Sequence, residues 1–210
     1  MSNDPKLRAK AAKLVAGKNV AVIGGGSVAI DAAVSAKKLG AVKVYVISLE
    51  GLDELPADSE EIELAHKSNI IFKPQSRVTN IKGDGKKITG IDGVETEWIK
   101  KGGPLAPANA RDVKGCEFSL KIDALIHAIG SRVEDSALET LKGAGVKTGD
   151  GNRTLVDGTY RTSVKGVFAG GDMIASGRKL NTVAAAVYDG KTAAMAIHNF
   201  LTSTKKGGIK

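Results

Sequence analysis

Apolar residues recur along the chain in two different periods. From Lys6 to Ala16 they fall at helical spacing, with Leu7, Ala11, Leu14 and Val15 on one side, and Gly17 closes the segment. Asn19-Val-Ala-Val-Ile23 is then a short continuous apolar run of strand type. The glycines Gly24 to Gly26 follow, and after them Ser27 to Leu39 is rich in small apolar residues, with lysines near its end and Gly40 as a stop. That is the composition of a helix. Val42 to Ser48 is a second apolar strand. Strand, glycine turn, helix and strand, joined by short connections, predict a parallel sheet with a right-handed crossover.

Asp58-Ser-Glu-Glu61 has the spacing of a capping box and predicts a helix to about Ser68. Asn69–Phe72 reads as a third strand. Arg77–Lys82, Ile88–Glu97 and Cys116–Ile122 read as antiparallel strands laid across the parallel core, with Lys100–Gly115 as a loop because of its Gly-Gly-Pro and Ala-Pro steps. Ala124–Ile129 is an apolar strand closed by Gly130. The register changes after Arg132. A turn-rich, glycine-rich segment surrounds a short strand at Thr154–Val156, Gly166–Asp172 reads as a strand ending in Gly-Gly-Asp, and a helix of small residues runs from about Thr182 to Leu201. No internal repeat is present.

Composition narrows the function classes. The formal charge is +8, much of it at the two ends, but no stacking aromatics interleave with the lysines. The charge therefore reads as solvated termini and not as a nucleic-acid surface. No apolar run approaches the roughly 20 residues of a membrane span, and the start lacks the apolar core of a signal peptide. A cytoplasmic protein without membrane contact is expected. The single cysteine, Cys116, excludes an intrachain disulfide or a CxxC pair within this sequence, and reads as packed in a strand. His66, His127 and His198 show no metal-ligand spacing, so no metal is expected; His127 reads as a core histidine.

The chemistry concentrates in Gly24-Gly-Gly-Ser-Val-Ala29, which fits G-x-G-x-x-A between a strand and a helix. Gly24 allows the sharp exit from the strand, Gly26 lets backbone approach a pyrophosphate, and Ala29 lets the helix pack closely. Gly25, Ser27 and Val28 complete the candidate cradle, where helical N–H groups and the helix dipole face the phosphates. At the end of the second strand Glu50 falls where an adenosine ribose would lie. A carboxylate there accepts hydrogen bonds from ribose hydroxyls and repels a 2′-phosphate, and no arginine lies between Ser48 and Pro56. The pattern predicts a nicotinamide dinucleotide, NAD(H) in preference to NADP(H).

With those residues in place, the chain resembles the FAD-dependent pyridine-nucleotide oxidoreductases, in the group of the glutamate synthase small subunit and the flavin module of dihydropyrimidine dehydrogenase. The resemblance is carried by Lys18–Asp31, by Asp53–Ala57, by Asp123–Gly130, and by Gly166–Asp172 with Asn181-Thr-Val and Asp189-Gly190. It extends from about Lys18 to Leu201. It implies that Ala128, Ile129 and Gly130 lie near the nicotinamide. It implies that Asp172 bonds the ribityl chain of FAD, that Gly171 permits close approach, and that Thr182 and Val183 face the flavin ring. Glu50 stands where the NADPH-using members carry arginine. The family's first glycine turn, which binds the ADP half of FAD, is not found in the residues before Lys18.

The expected fold is α/β: a Rossmann-type nicotinamide-binding domain with an antiparallel β insertion, plus a partial FAD-binding-type C-terminal segment. The expected boundaries are residues 1–17 as an N-terminal helix or linker, 18–130 as the dinucleotide domain, 131–201 as the partial flavin segment and 202–210 as a flexible tail. The expected function is that of an oxidoreductase subunit or fragment, passing a hydride between NADH and a flavin completed by another protein chain or segment that carries the N-terminal FAD-binding half. The competing expectation is a non-catalytic dinucleotide-binding sensor or assembly module. Hydride transfer requires no general base, because the cofactors carry the chemistry, so no catalytic residue is named.

Overall fold

The computed structural model describes residues 4–103, 105–131, 133–175 and 182–206. The chain divides into two compact units, Met1–Gly130 and Ser131–Lys210.

In the first unit the elements run α1 (Pro5–Val15), β1 (Asn19–Ile23), α2 (Ser27–Lys38), β2 (Lys43–Ile47), α3 (Ser59–Lys67), β3 (Ile71–Lys73), β4 (Ser76–Gly83), β5 (Ile88–Trp98), β6 (Ala110–Leu120) and β7 (Ala124–His127). β1, β2, β3 and β7 form a parallel sheet in the order β3-β2-β1-β7, and β4, β5 and β6 form an antiparallel sheet. The fold is thus α/β with an antiparallel insertion, as the pattern of apolar positions predicts.

Alternation along the parallel strands sorts the core into two layers. Val20, Val22, Val44 and Val46 are buried against Ala29, Ile30, Ala33 and Val34 of α2 and Ala65 of α3. The intervening Ala21 and Ile47 point to the other face, where they meet Ile91 of β5 and Ile122. Each fully buried valine or isoleucine here contributes about 1.5–3 kcal/mol. α3 begins with the expected capping box: Asp58 accepts from the Glu60 amide, and Glu61 accepts from the Asp58 amide.

Several expectations are corrected. β6 begins at Ala110, so the second part of the expected Lys100–Gly115 loop is strand. Its start is held by pairing with the far end of β5, Trp98 opposite Ala110 and Glu97 opposite Arg111, with an Arg111–Glu97 ion pair at 3.0 Å. That partner is remote in sequence and invisible to local turn signals. β3 begins two residues late, because Asn69 turns at φ 55 after α3. The expected apolar side of α1 is mostly exposed at Leu7 and Leu14, and only Val15 is buried. His127 is exposed and not a core residue: it is the last residue of β7, and the three before it are partly buried.

The second unit contains α4 (Asp135–Gly143) and α5 (Val183–Lys206). Thr154–Val156 and Gly166–Asp172 do not form strands. Among the described residues Thr154 makes isolated bridges to Thr148 and Ile174, Phe168 makes one to Arg161, and Gly171–Met173 is a 3-10 turn. A single bridge supplies no ladder, so an apolar run alone does not become a strand. α5 continues past Leu201, where the expected tail began. Thr202 and Ser203 bond back to the carbonyls of His198 and Phe200, and no glycine or proline intervenes before residue 207. Asn181, part of the motif that carries the resemblance, lies outside the described residues.

Candidate functional site

The chain leaves β1 in two directions. It crosses through α2 to β2 and onward to β3, then returns through the antiparallel insertion to β7 on β1's other side. The carboxyl end of β1 is therefore a topological switch point, the place where open parallel sheets bind ligands. The turn Gly24–Gly26 lies there.

Each glycine of the turn has its own reason. Gly24 sits at φ 132, and a Cβ on it would run into the carbonyl of Ala128. That carbonyl belongs to the segment after β7, whose Ala128 amide donates to Ile23 at 2.8 Å. Gly25 is buried beneath Glu50 and Leu55: a Cβ there would meet Leu55 Cδ2 at 2.7 Å and Glu50 Oε2 at 3.0 Å. A Cβ on Gly26 would meet nothing within 4 Å. Gly26 is the N-cap of α2 and no side chain among the described residues caps it. Its carbonyl accepts from the amides of Ala29 and Ile30. The first-turn amides of a helix have no intrahelical acceptor, so this end offers N–H donors beside open space. Those features fit a pyrophosphate: a cradle that a side chain would fill, with donors at its base.

Glu50 is half-buried and hangs over that turn. Its backbone is pinned by Ser48 Oγ, which donates to the Glu50 carbonyl at 3.0 Å, and by the amide of Gln75, which donates to the same carbonyl at 3.0 Å. A residue that sequence reasoning passed over holds the next link. Glu54 Oε2 accepts from the Gly51 amide at 3.0 Å and from Trp98 Nε1 at 2.7 Å. The indole hydrogen bond, then the Gly51 amide, hold the Glu54 carboxyl below its ordinary value. Only the resemblance singled out the Asp53–Ala57 segment, and nothing local ties it to Trp98. On the β7 side, Ala128 is partly buried against the turn, Ile129 is exposed, and Gly130 turns at φ 90. Ser27 is partly buried and Val28 is exposed.

The second unit has its own centre, also missed in role. Asp189, on α5, is fully buried and accepts from Tyr160 Oη at 2.6 Å and from the Gly171 amide at 2.8 Å. A Cβ on Gly170 would meet Asp189 Cβ at 2.9 Å, so the Gly-Gly step lets this loop close on the helix. Asp172 is exposed beside it. Thr182 caps α5, its Oγ1 accepting from the Ala185 amide at 3.1 Å, and Val183 is exposed. The Gly171 amide is thus committed within the protein. Asp172, Thr182 and Val183 are exposed, which fits in part what the ribityl and ring portions of FAD would need. Cys116 is a half-buried free thiol, as expected of a strand cysteine. No helix among the described residues is long and apolar enough to cross a membrane.

A parallel sheet with a glycine turn at its switch point and an acidic residue after the next strand defines a Rossmann-type dinucleotide-binding protein. The chain belongs to the pyridine nucleotide-disulphide oxidoreductase family, which it matches over residues 2–190. It is 36% identical over 188 residues to the NADP(+)-dependent formate dehydrogenase subunit beta of Moorella thermoacetica, a match that covers 88% of this chain and 25% of the relative. It is 31% identical over 192 residues to the small chain of glutamate synthase (NADPH) of Azospirillum brasilense, covering 88% of this chain and 37% of that one. Among solved structures, the thioredoxin reductase of T. acidophilum superposes with a TM-score of 0.75 at 29% identity, over 94% of this chain and 56% of that one. The chain therefore spans well under half the length of these curated relatives. The chain is that of an oxidoreductase family, and its likeness to a glutamate synthase small chain agrees with the resemblance read from its motifs.

Proposed function

We propose that this chain is the nicotinamide-binding part of a flavoprotein oxidoreductase, and that it prefers NAD(H). The pyrophosphate rests on Gly24, Gly25, Gly26, Ser27 and Val28, the adenosine ribose on Glu50, and the nicotinamide end beside Ala128, Ile129 and Gly130. The observation that carries the reading is the open position at Gly26 beside the uncapped start of α2, with the Glu50 carboxylate over the same turn. The two curated relatives are named for NADP(H). Glu50, with no arginine between Ser48 and Pro56, is the ground for NADH here. Bound FAD would accept a hydride from NADH. In this chain Asp172, Thr182 and Val183 would hold its ribityl and ring portions, and another chain or segment would supply the glycine turn for its ADP half. The chain itself acts by binding and orienting.

Calorimetric titration with NADH and NADPH tests the cofactor assignment. Tighter binding of NADH by roughly 1.5–3 kcal/mol is expected, from one charge-assisted hydrogen bond lost and a repulsion gained. Equal affinity or a preference for NADPH overturns it. A visible spectrum tests the flavin assignment. The chain by itself is expected to be colourless, because half the contacts cannot offset the full cost of ordering FAD. Yellow, stoichiometric FAD in a preparation of this chain alone overturns the need for a complementary segment.

A further inference from the structure

We infer that the amino-terminal pole of the parallel sheet, at the end opposite the glycine turn, is a docking surface for an acidic protein partner. The inference stands independently of the dinucleotide reading.

Helices and strands meet there and bring cations with them. α1 ends at this pole: the Gly17 amide donates to the Gly40 carbonyl at 2.9 Å, and the Lys18 amide donates to the Val15 carbonyl at 3.1 Å. β1 and β2 begin side by side, with Asn19 opposite Lys43, and the Val42 amide donates to the Lys18 carbonyl at 2.8 Å. α2 ends at the same pole, and Lys37 Nζ donates to the Val42 carbonyl at 2.7 Å. Lys13, Lys18, Lys37, Lys38 and Lys43 are thus gathered at one end of the sheet, and Lys10 stands one turn back along α1. The length of β1 separates this pole from the Gly24 turn by roughly 15 Å.

None of these lysines forms an ion pair among the described residues. The acidic residues on or beside the same elements are placed elsewhere. Asp4 caps the far end of α1, Asp123 accepts from the Asn19 amide at 2.8 Å, and Asp31 lies about 10 Å back along α2 from Lys38. Cations in the last turn of a helix favour its dipole, which accounts for Lys13, Lys37 and Lys38. It does not account for Lys10, Lys18 and Lys43, nor for the apolar side chains that stand among them. Leu14 is 62% exposed, Val42 is 56% exposed, and Leu7 is exposed further along α1. Exposed apolar side chains rimmed by charge are the anatomy of a protein interface. Charge complementarity then assigns carboxylates to the partner's rim.

Other occupants fit less well. Nucleic acid would meet the lysines but cover none of the leucines, and no aromatic side chain stands among these residues to stack on a base. A helix that lies on a membrane needs a broader apolar face than α1, which offers Leu7 and Leu14 beside alanines. A second copy would set lysine against lysine across a twofold contact, in a chain whose formal charge is +8.

The test uses the full chain and a synthetic helical peptide with leucines on one face and glutamates flanking them. Binding is read by calorimetry at physiological ionic strength. Carbodiimide cross-linking, which joins lysine amines directly to carboxylates, locates the contact. Cross-links are expected at Lys10, Lys13 and Lys43. The combined variant Lys10→Glu, Lys13→Glu, Lys43→Glu is expected to weaken the peptide by about tenfold or more, and Leu14→Ser, at an exposed position, severalfold. Denaturation midpoints no lower than the parent's are expected for both variants, which shows that the loss is not one of folding. The inference is overturned if the peptide does not bind, if both variants bind it as the parent does, or if cross-links spread over the other lysines of the chain. It is overturned equally if poly-glutamate, which has the charge without the leucines, binds as tightly as the peptide. Tighter binding of a DNA duplex or of phosphatidylglycerol vesicles than of the peptide overturns it in favour of that class of partner.

Discussion

Glu50 and Gly25 pack against each other across the first crossover: Oε2 of the glutamate lies 3.0 Å from the point a Cβ on Gly25 would occupy. The middle glycine of the turn therefore does not serve the ligand by itself. Its missing side chain makes room for the Glu50 carboxylate, which is proposed to bond the ribose. Gly25→Ala is expected to fold, displace Glu50, and lower NADH affinity severalfold. Glu50→Gln keeps the shape and removes the charge, and is expected to narrow the gap between NADH and NADPH by about 1 kcal/mol or more. Calorimetry with both nucleotides on both variants checks this. An unchanged gap in Glu50→Gln means that Glu50 does not face the ribose.

The outer glycines are expected to fail differently. Gly24→Ala forces a side chain onto φ 132 and into the Ala128 carbonyl, and is expected to cost about 2–4 kcal/mol of stability. Gly26→Val meets no protein atom within 4 Å and is expected to leave the denaturation midpoint nearly unchanged while abolishing NADH binding. Urea denaturation followed by nucleotide titration separates the two. Wild-type affinity in a folded Gly26→Val variant would place the dinucleotide away from this turn.

Asp189 is expected to be the most sensitive position of the second unit. Truncation to alanine removes the carboxylate to which Tyr160 Oη and the Gly171 amide donate at 2.6 and 2.8 Å. The expected loss is roughly 2–5 kcal/mol, with a smaller loss, about 1–2 kcal/mol, for Tyr160→Phe. Limited proteolysis and denaturation midpoints report both. A neutral Asp189→Ala would show that the Gly170–Gly171 loop is not held by this carboxylate.

Glu54 predicts a pH dependence with a defined sign. Its carboxyl is held below the ordinary value of 4.5 by Trp98 Nε1 and then by the Gly51 amide. A lowered folded-state value means that the contribution is fully present above pH 4.5 and is lost as pH falls through the folded value. The stability difference between the parent and Glu54→Gln is therefore expected to be largest near neutral pH and to close on acidification below about 4.5. Asp84, Asp92 and Asp157 are also held low, but both proteins share them, so they cancel in the difference. A gap that is constant with pH would show that the carboxylate does not hold Trp98.

The sequence by itself determined what is local. The helices carry their stop glycines and capping residues within a few positions, β1 and β2 are short apolar runs, and G-x-G-x-x-A stands between a strand and a helix; each is a property of neighbouring residues. Even the acidic residue after β2 was legible, because a short parallel strand fixes where its end falls. What only the tertiary structure decided depends on partners far along the chain. Ala110, Arg111 and Asp112 open a strand because they pair with residues that precede them by a dozen or more positions. Thr154–Val156 and Gly166–Asp172 are not strands because no ladder among the described residues meets them. His127 is exposed because it stands at the open end of β7, past the partly buried Ala124–Ile126. Trp98 reaches Glu54 across 44 positions, and Asp189 closes on Tyr160 across 29. A periodic pattern states which face of an element wants burial. It does not state which remote element arrives to bury it, nor which hydrogen bonds form when it does.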